Sequence, residues 1–239
     1  MLRLLSKAAL KGCATRTTRK GCATRTLLVI GLLAWVLPKT AAAQEPQPED
    51  LPIGRYVADL RLHFPKFKED PTVSGGLGVA TQNLPTRGVG FVFGAHLYPL
   101  RLGFMTLGLG GEISKAGRDK TMNTGTEAKP VNVTVNTRFS AVSPQVSFNF
   151  GARDGWSYIS GGIGWATLTT ERVDKPLPDP GSGTKTINYG GGARWFAKKH
   201  LAVSFDIRFY AVNPQLPTAT RPGYPRMTLM TMSGGISVR

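Results

Sequence analysis

Cysteine is nearly absent from this chain. Its 239 residues hold two, Cys13 and Cys22. Beyond residue 22 a disulfide framework and any thiolate metal site are therefore excluded. Long apolar runs are scarce as well. The run at 27–37, LLVIGLLAWVL, is too short to cross a bilayer as a helix. Acidic residues are missing from positions 1–43, which carry Arg3, Lys7, Lys11, Arg16, Arg19, Lys20, Arg25 and Lys39. Removing those eight from the 30 Lys and Arg leaves 22 basic residues against 14 acidic ones. Half of the formal charge of +16 thus belongs to the first 43 residues. The rest is spread along the chain, which argues against a nucleic-acid partner.

What the first 43 residues do contain is the three-part pattern of a secretory signal. A basic region reaches Arg25, the apolar run follows, and Ala41, Ala42 and Ala43 supply small residues for cleavage. Both cysteines lie in a tandem GCATRT, at 12–17 and 21–26, ahead of the apolar run, and would be removed with it. Export is the expectation, with 1–43 as signal peptide. Residues 44–53, which open QEPQPEDLP, are acidic and proline-rich and are expected to be a disordered lead-in.

From residue 54 onward period-2 alternation dominates. It is clearest over 187–210, INYGGGARWFAKKHLAVSFDIRFY. Ile187, Tyr189, Ala193 and Trp195, then Leu201, Val203, Phe205, Ile207 and Phe209, fall on oily faces, opposite Arg194, Asp206 and Arg208. This is a half-buried antiparallel hairpin turning at 197–200. Similar alternation marks strands at 56–64, 89–98, to about 113, 141–150, 156–169 and 227–238. Between them, 65–86, 114–136, 170–183 and 211–224 read as long loops, and 99–101 and 151–155 as short turns. Pro144 cannot donate to a ladder, so a bulge or a locally broken pairing is expected there. Eight strands with alternating long and short connections, each strand long enough for a tilted crossing, predict an all-β, eight-stranded antiparallel up-and-down transmembrane β-barrel over 54–239.

The solvent on each face follows from composition. Phe64, Phe91, Phe93, Phe148, Phe150, Tyr189, Trp195, Phe205 and Phe209 share the oily faces without a charge among them, and the sequence offers no amphipathic helix to cover them. Lipid is the simpler cover. Trp156, Tyr158, Trp195, Tyr56 and Tyr189 fall near strand ends, where aromatic girdles sit. The other faces combine glycine and serine with Asp59, Arg61, Glu112, Arg194, Asp206 and Arg208, which suits a narrow filled lumen where ions need partners. An ion-paired network is expected there, with Asp206 and Arg194 adjacent on neighbouring strands. A soluble exported ligand-binding barrel of lipocalin type, and a small porin for small solutes, remain as alternatives.

The segments SPQVSFNFGARDGWSYISGGIG and GGGARWFAKKHLAVSFDIRFY resemble the short-turn hairpins of small outer-membrane barrels of the OmpA/OmpX/OmpW kind. The resemblance covers about 56–239 and rests on pattern more than on a signature motif. It implies a Gram-negative outer-membrane location, insertion by the outer-membrane assembly machinery, and a structural, surface-interaction or minor permeability role. Such barrels commonly end in an aromatic residue, whereas this sequence ends Ile236-Ser237-Val238-Arg239.

Chemistry beyond packing is sparse. His63, His96 and His200 fall at different heights and cannot converge, so no catalytic site and no enzyme activity are expected. No cofactor and no metal are expected either. Asp119, Glu127, Asp174 and Asp179 are scattered loop acids that read as solvated charges. Glycine pairs such as Gly110-Gly111 and Gly161-Gly162 are not followed by a helix and are no phosphate loops. Lys66, Lys68, Arg87, Lys115, Arg118, Lys120, Lys129 and Arg138 place cations at the outer rim, where lipopolysaccharide phosphates are candidate partners alongside outer-membrane lipids. A monomer is expected.

Overall fold

Alternation with a charged inner face needs a closed sheet, because an open one would leave Asp59 or Arg61 on an unpaired edge. The computed structural model, which describes residues 52–124, 129–176, 183–218 and 223–239, is such a sheet. Its strands are β1 (Tyr56–Lys66), β2 (Val89–Leu102), β3 (Met105–Asn123), β4 (Asn132–Ala152), β5 (Gly155–Arg172), β6 (Thr184–Lys198), β7 (Leu201–Val212) and β8 (Met227–Val238). Each pairs antiparallel with the next, and β1 pairs with β8 to close an eight-stranded barrel. The expected signal peptide and the lead-in up to Leu51 lie outside the described residues. Ile53, the end of that lead-in, is buried against Val57, Tyr98, Trp156 and Tyr158, so order begins earlier than its composition suggests.

The faces partition as the alternation predicts. On β1, Tyr56, Leu60, Leu62 and Phe64 point outward, while Val57, Asp59, Arg61 and His63 are buried in the bore. The outward positions form a charge-free apolar belt. Lys66, Lys115, Arg138 and Lys185 bound it at the long-loop end, and Arg101 and Lys198 at the short-turn end. On β3 the belt occupies residues 105–113, about the length a tilted strand needs to cross a hydrocarbon core.

Four connections depart from the sequence reading. The turn expected at 99–101 falls instead at Gly103 and Phe104, where Gly103 takes φ 58°. The β2–β3 register shifts between Leu97 and Leu100, and this irregularity accommodates Pro99 inside the strand. The loop expected over 114–136 is mostly ladder: β3 and β4 stay paired out to Asn123 and Asn132. Above the belt neither face meets lipid, and on β4 the polarity of the alternation inverts: Val133, Val135 and Phe139 point inward while Thr134, Asn136 and Arg138 point outward. β5 likewise runs to Arg172, beyond the expected end. The fourth departure is the segment 65–86, which carries a helix α1 (Pro71–Leu77) and a 3₁₀ turn (Thr81–Asn83). Asp70 caps α1 by accepting from the Thr72 and Val73 amides, Pro71 opens it, and Gly78 ends it at φ 65°.

Pro144 breaks one ladder only. Pairing with β5 lapses between Val142 and Gln145 and resumes in the same register, while pairing with β3 is continuous.

Candidate functional site: the filled bore

Three layers close the barrel's interior. Nearest the short turns, Trp156 stacks on Phe196 with centroids 5.1 Å apart and meets Tyr98 edge-on at 5.8 Å. Ile53 and Val57 complete that layer. Their position near a strand end predicts Trp156 and Tyr158 in an outer aromatic girdle, but both are buried inside. Glycines 161, 162 and 164 blur the alternation of β5 and leave its phase undetermined by sequence alone. The outward residues of that strand are Ile159, Ile163 and Trp165.

The middle layer is ionic, with three arginines against three carboxylates on four strands, β1, β3, β6 and β7. Arg194 of β6 donates from Nε (2.9 Å) and Nη2 (2.5 Å) to the two oxygens of Asp59 on β1, which also accepts from Ser237 of β8. Within this network Arg194 pairs with Asp59 rather than with Asp206, its neighbour in the hairpin. Their side chains leave adjacent strands, yet Arg194 reaches across the bore, with its guanidinium 4.3 Å from the Tyr158 ring centroid. Asp206 instead accepts from Tyr158 (2.9 Å) and from Nη2 of Arg208 (3.0 Å), and lies 3.5 Å from Arg61. Glu112 of β3 is paired by Arg61, accepts from Gln145 (3.0 Å) and lies 3.2 Å from Nε of Arg208. Arg208 also donates to Asn188 and Ser160, both at 2.8 Å. Thus all six ionic residues inferred from the sequence meet in one layer.

The sequence reading missed the neutral members: Tyr158, Gln145, Asn188, Ser160 and Ser237. They occupy inward positions beside the ions; inward parity was the available signal for Gln145, Asn188 and Ser237, whereas Tyr158 and Ser160 lie on β5, whose phase the sequence leaves open. Burying an ion is costly unless its remaining donors and acceptors are met, and these neutral groups meet part of that demand.

The third layer plugs the long-loop end and is apolar. Phe67, Val73, Leu77 and Leu84 from the β1–β2 connection descend onto Val135, Phe139, Leu168, Tyr210 and Leu229 from the wall. Polar ties hold the cover. Lys120 donates to the carbonyls of Gln82 (2.6 Å) and Leu84 (3.3 Å), and Arg172 to that of Leu77 (3.4 Å). Arg172 is itself paired with Asp174, whose carboxyl is held below its ordinary range by the hydrogen bond from that guanidinium. The crevice between the cover and the wall, lined by Phe67, Val73, Leu84, Leu168 and Met227, has a volume of about 10 Å³.

The histidines stay apart. His96 lies opposite Val57 and His63 opposite Gly90, six residues along β1 and hence about 20 Å. His63 stacks on Phe139 between the ionic layer and the cover, and His200 touches the Arg239 carbonyl at a short turn. Among the described residues no group of three or more His, Cys, Asp or Glu could hold a metal. Of the loop acids, Asp119 lies 3.7 Å from Arg138, and Glu127 and Asp179 lie outside the described residues.

No family model matches the chain, and no curated protein matches its sequence. Solved structures do. Ail, the attachment invasion locus protein of Yersinia pestis, is 11% identical over 78% of this chain and 98% of its own, with a TM-score of 0.41. Ail in complex with the heparin analogue sucrose octasulfate is 10% identical over 77% and 99%, at the same TM-score. The solution structure of the E. coli outer membrane protein W is 14% identical over 79% and 98%, with a TM-score of 0.36.

Proposed function

We propose that this protein is exported by its N-terminal leader and resides in the outer membrane as a structural or surface-interacting barrel, rather than as a conducting pore. The apolar belt carries the membrane reading. Phe91 is 61% exposed, Phe93 55%, Ile163 64% and Trp195 59%, all on one continuous outer wall. In water such a wall is far larger than the apolar patches soluble monomers tolerate. In lipid it is the ordinary exterior of a barrel. A soluble ligand-binding barrel would invert this arrangement and keep its apolar residues around an inner cavity, where this chain has ions.

The filled bore argues against conduction. An ionic layer with its charges balanced and a plug above it leave no continuous path for solute. Outer-membrane lipids are the proposed partners, lipopolysaccharide among them through the rim cations, and the assembly machinery is the proposed route of insertion.

Fractionation with conductance recording tests the proposal. The full chain should appear in the outer-membrane fraction, come out only with detergent, and migrate differently on gels before and after heating. Planar bilayers holding the purified barrel should show no stable unitary conductance. Recovery from the periplasm would refute the membrane reading, and stable channels would refute the closed bore.

A further inference from the structure

The outer wall carries a groove of about 910 Å³ where β8, β1 and β2 meet the foot of the β3 arm. Its lower part is apolar and belongs to the belt: Phe64 of β1 lies opposite Met232 of β8, and Met230 sits one outward position higher. Its upper part is cationic. Lys66 and Arg87 face each other across an isolated antiparallel bridge, so their side chains leave the backbone side by side, with Arg118 lining the same groove. The backbone there is fixed by Phe67 donating to the Thr86 carbonyl at 2.8 Å and Gly88 donating to that of Pro65 at 2.9 Å.

The neighbouring charges are already engaged. Lys120 is tied to the cover, and Asp119 faces Arg138. Among the described residues Lys66, Arg87 and Arg118 join no ion pair. One outward step, two residues or about 7 Å, separates Lys66 from the Phe64 and Met232 level, which is the distance between the head and the chains of an amphiphile.

We infer that this groove is a seat for a single lipid bearing a phosphate monoester, with its phosphate between Lys66, Arg87 and Arg118 and its first acyl carbons on Phe64, Met230 and Met232. Three unpaired cations at one spot match a headgroup of more than one negative charge better than a zwitterionic one, because the zwitterion brings its own cation into the cluster. The inference rests on the membrane placement proposed above and deepens it from a diffuse rim to one site.

Native mass spectrometry of the full-length barrel released from detergent tests it. The probes are a bisphosphorylated acylated glucosamine disaccharide, its dephosphorylated form, phosphatidylethanolamine and inorganic phosphate. One adduct of the bisphosphorylated lipid is expected to survive, with retention of the dephosphorylated lipid and of phosphatidylethanolamine lower by about tenfold or more. The variant Lys66→Gln/Arg87→Gln/Arg118→Gln should lose the adduct by a similar factor, and Phe64→Ser/Met232→Ser should lose it without gaining phosphate binding. A control at the other rim, Arg101→Gln/Lys198→Gln/Lys199→Gln, should retain it.

Equal loss in both cation variants, retention in the upper one, or competition by inorganic phosphate as strong as by lipid would each overturn the inference. Failure of the membrane reading looks different. The chain would then not insert into lipid vesicles or change its gel migration on heating, and both proposals would fall together. Insertion without a specific adduct overturns the seat alone.

Discussion

The middle of the bore and its long-loop mouth are closed by opposite means. The middle uses six ions and their neutral partners, each bond directional and each dependent on strand register. The mouth uses apolar side chains from a connection that belongs to no strand. Contacts of that kind are non-directional and scale with area removed from water. The ionic layer gains little net stability over an apolar one of equal volume, since desolvation offsets much of the attraction. Its value is discrimination: a one-residue slip of β1, β3, β6 or β7 turns its inward side chains to lipid and strands a charge there. The plug has the reverse profile, contributing burial energy while tolerating displacement.

Breaking the middle should cost most. Glu112→Leu leaves Arg61 and Arg208 facing each other without their shared carboxylate, and about 3–5 kcal/mol of stability should be lost. Urea unfolding in micelles reads this directly. Asp206→Leu belongs to the same class, and heat resistance equal to the parent chain in either variant would mean that the ions are not buried as described. The paired change Asp59→Leu/Arg194→Met should recover most of the loss of its single members, because it removes both ends of one contact together.

The mouth should yield next. Phe67→Ala removes a ring from the plug, with an expected cost of about 3 kcal/mol. This loss should appear first as faster proteolysis and hydrogen exchange over 66–87, with the barrel's heat-modifiable migration kept. Bilayer conductance should stay closed, since the ionic layer below is untouched. A channel in this variant would reverse the ranking of the two layers as barriers.

The smallest effect belongs to the polar tie on the cover. Asp174→Asn should leave global unfolding unchanged within error, because the Arg172–Asp174 pair is exposed to water. Its pH dependence has a definite sign. The carboxyl is depressed in the folded state, so the pair's contribution is complete above the unfolded aspartate range near 4 and fades as pH falls through the lower folded value. Protection of residues 70–84 from proteolysis should therefore be flat between about pH 5 and 8.

The same contrast decides what was readable from sequence. Inward parity on β1, β3, β6 and β7 singled out Asp59, Arg61, Glu112, Arg194, Asp206 and Arg208 because lipid on one face enforces strict alternation. Which arginine meets which carboxylate was not readable, since reach across the bore depends on closure and stagger that no single hairpin encodes. β5 was misphased where its glycines carry no polarity. The cover was hidden for a different reason: over 65–86 proline, glycine, lysine and aspartate outnumber the few apolar residues, and the single i, i+4 pair Val73 and Leu77 is too short a repeat to mark a seven-residue helix by periodicity. Only Asp70, Pro71 and Gly78 hinted at a helix, as cap, opener and stop.

Asp59 has a consequence for the order in which the molecule assembles. It sits on the first strand, yet its partners come from the sixth and the last, Ser237 being 178 residues away. The contact can form only after the rest of the sheet exists, and the cost of joining such distant segments is met late. Until that moment Asp59 and Arg194 remain hydrated, and the unfinished sheet carries a wet inner face. Desolvation of that pair thus coincides with the meeting of β1 and β8, which makes the seam a timing device: the interior dries in the same event that removes the last free edge.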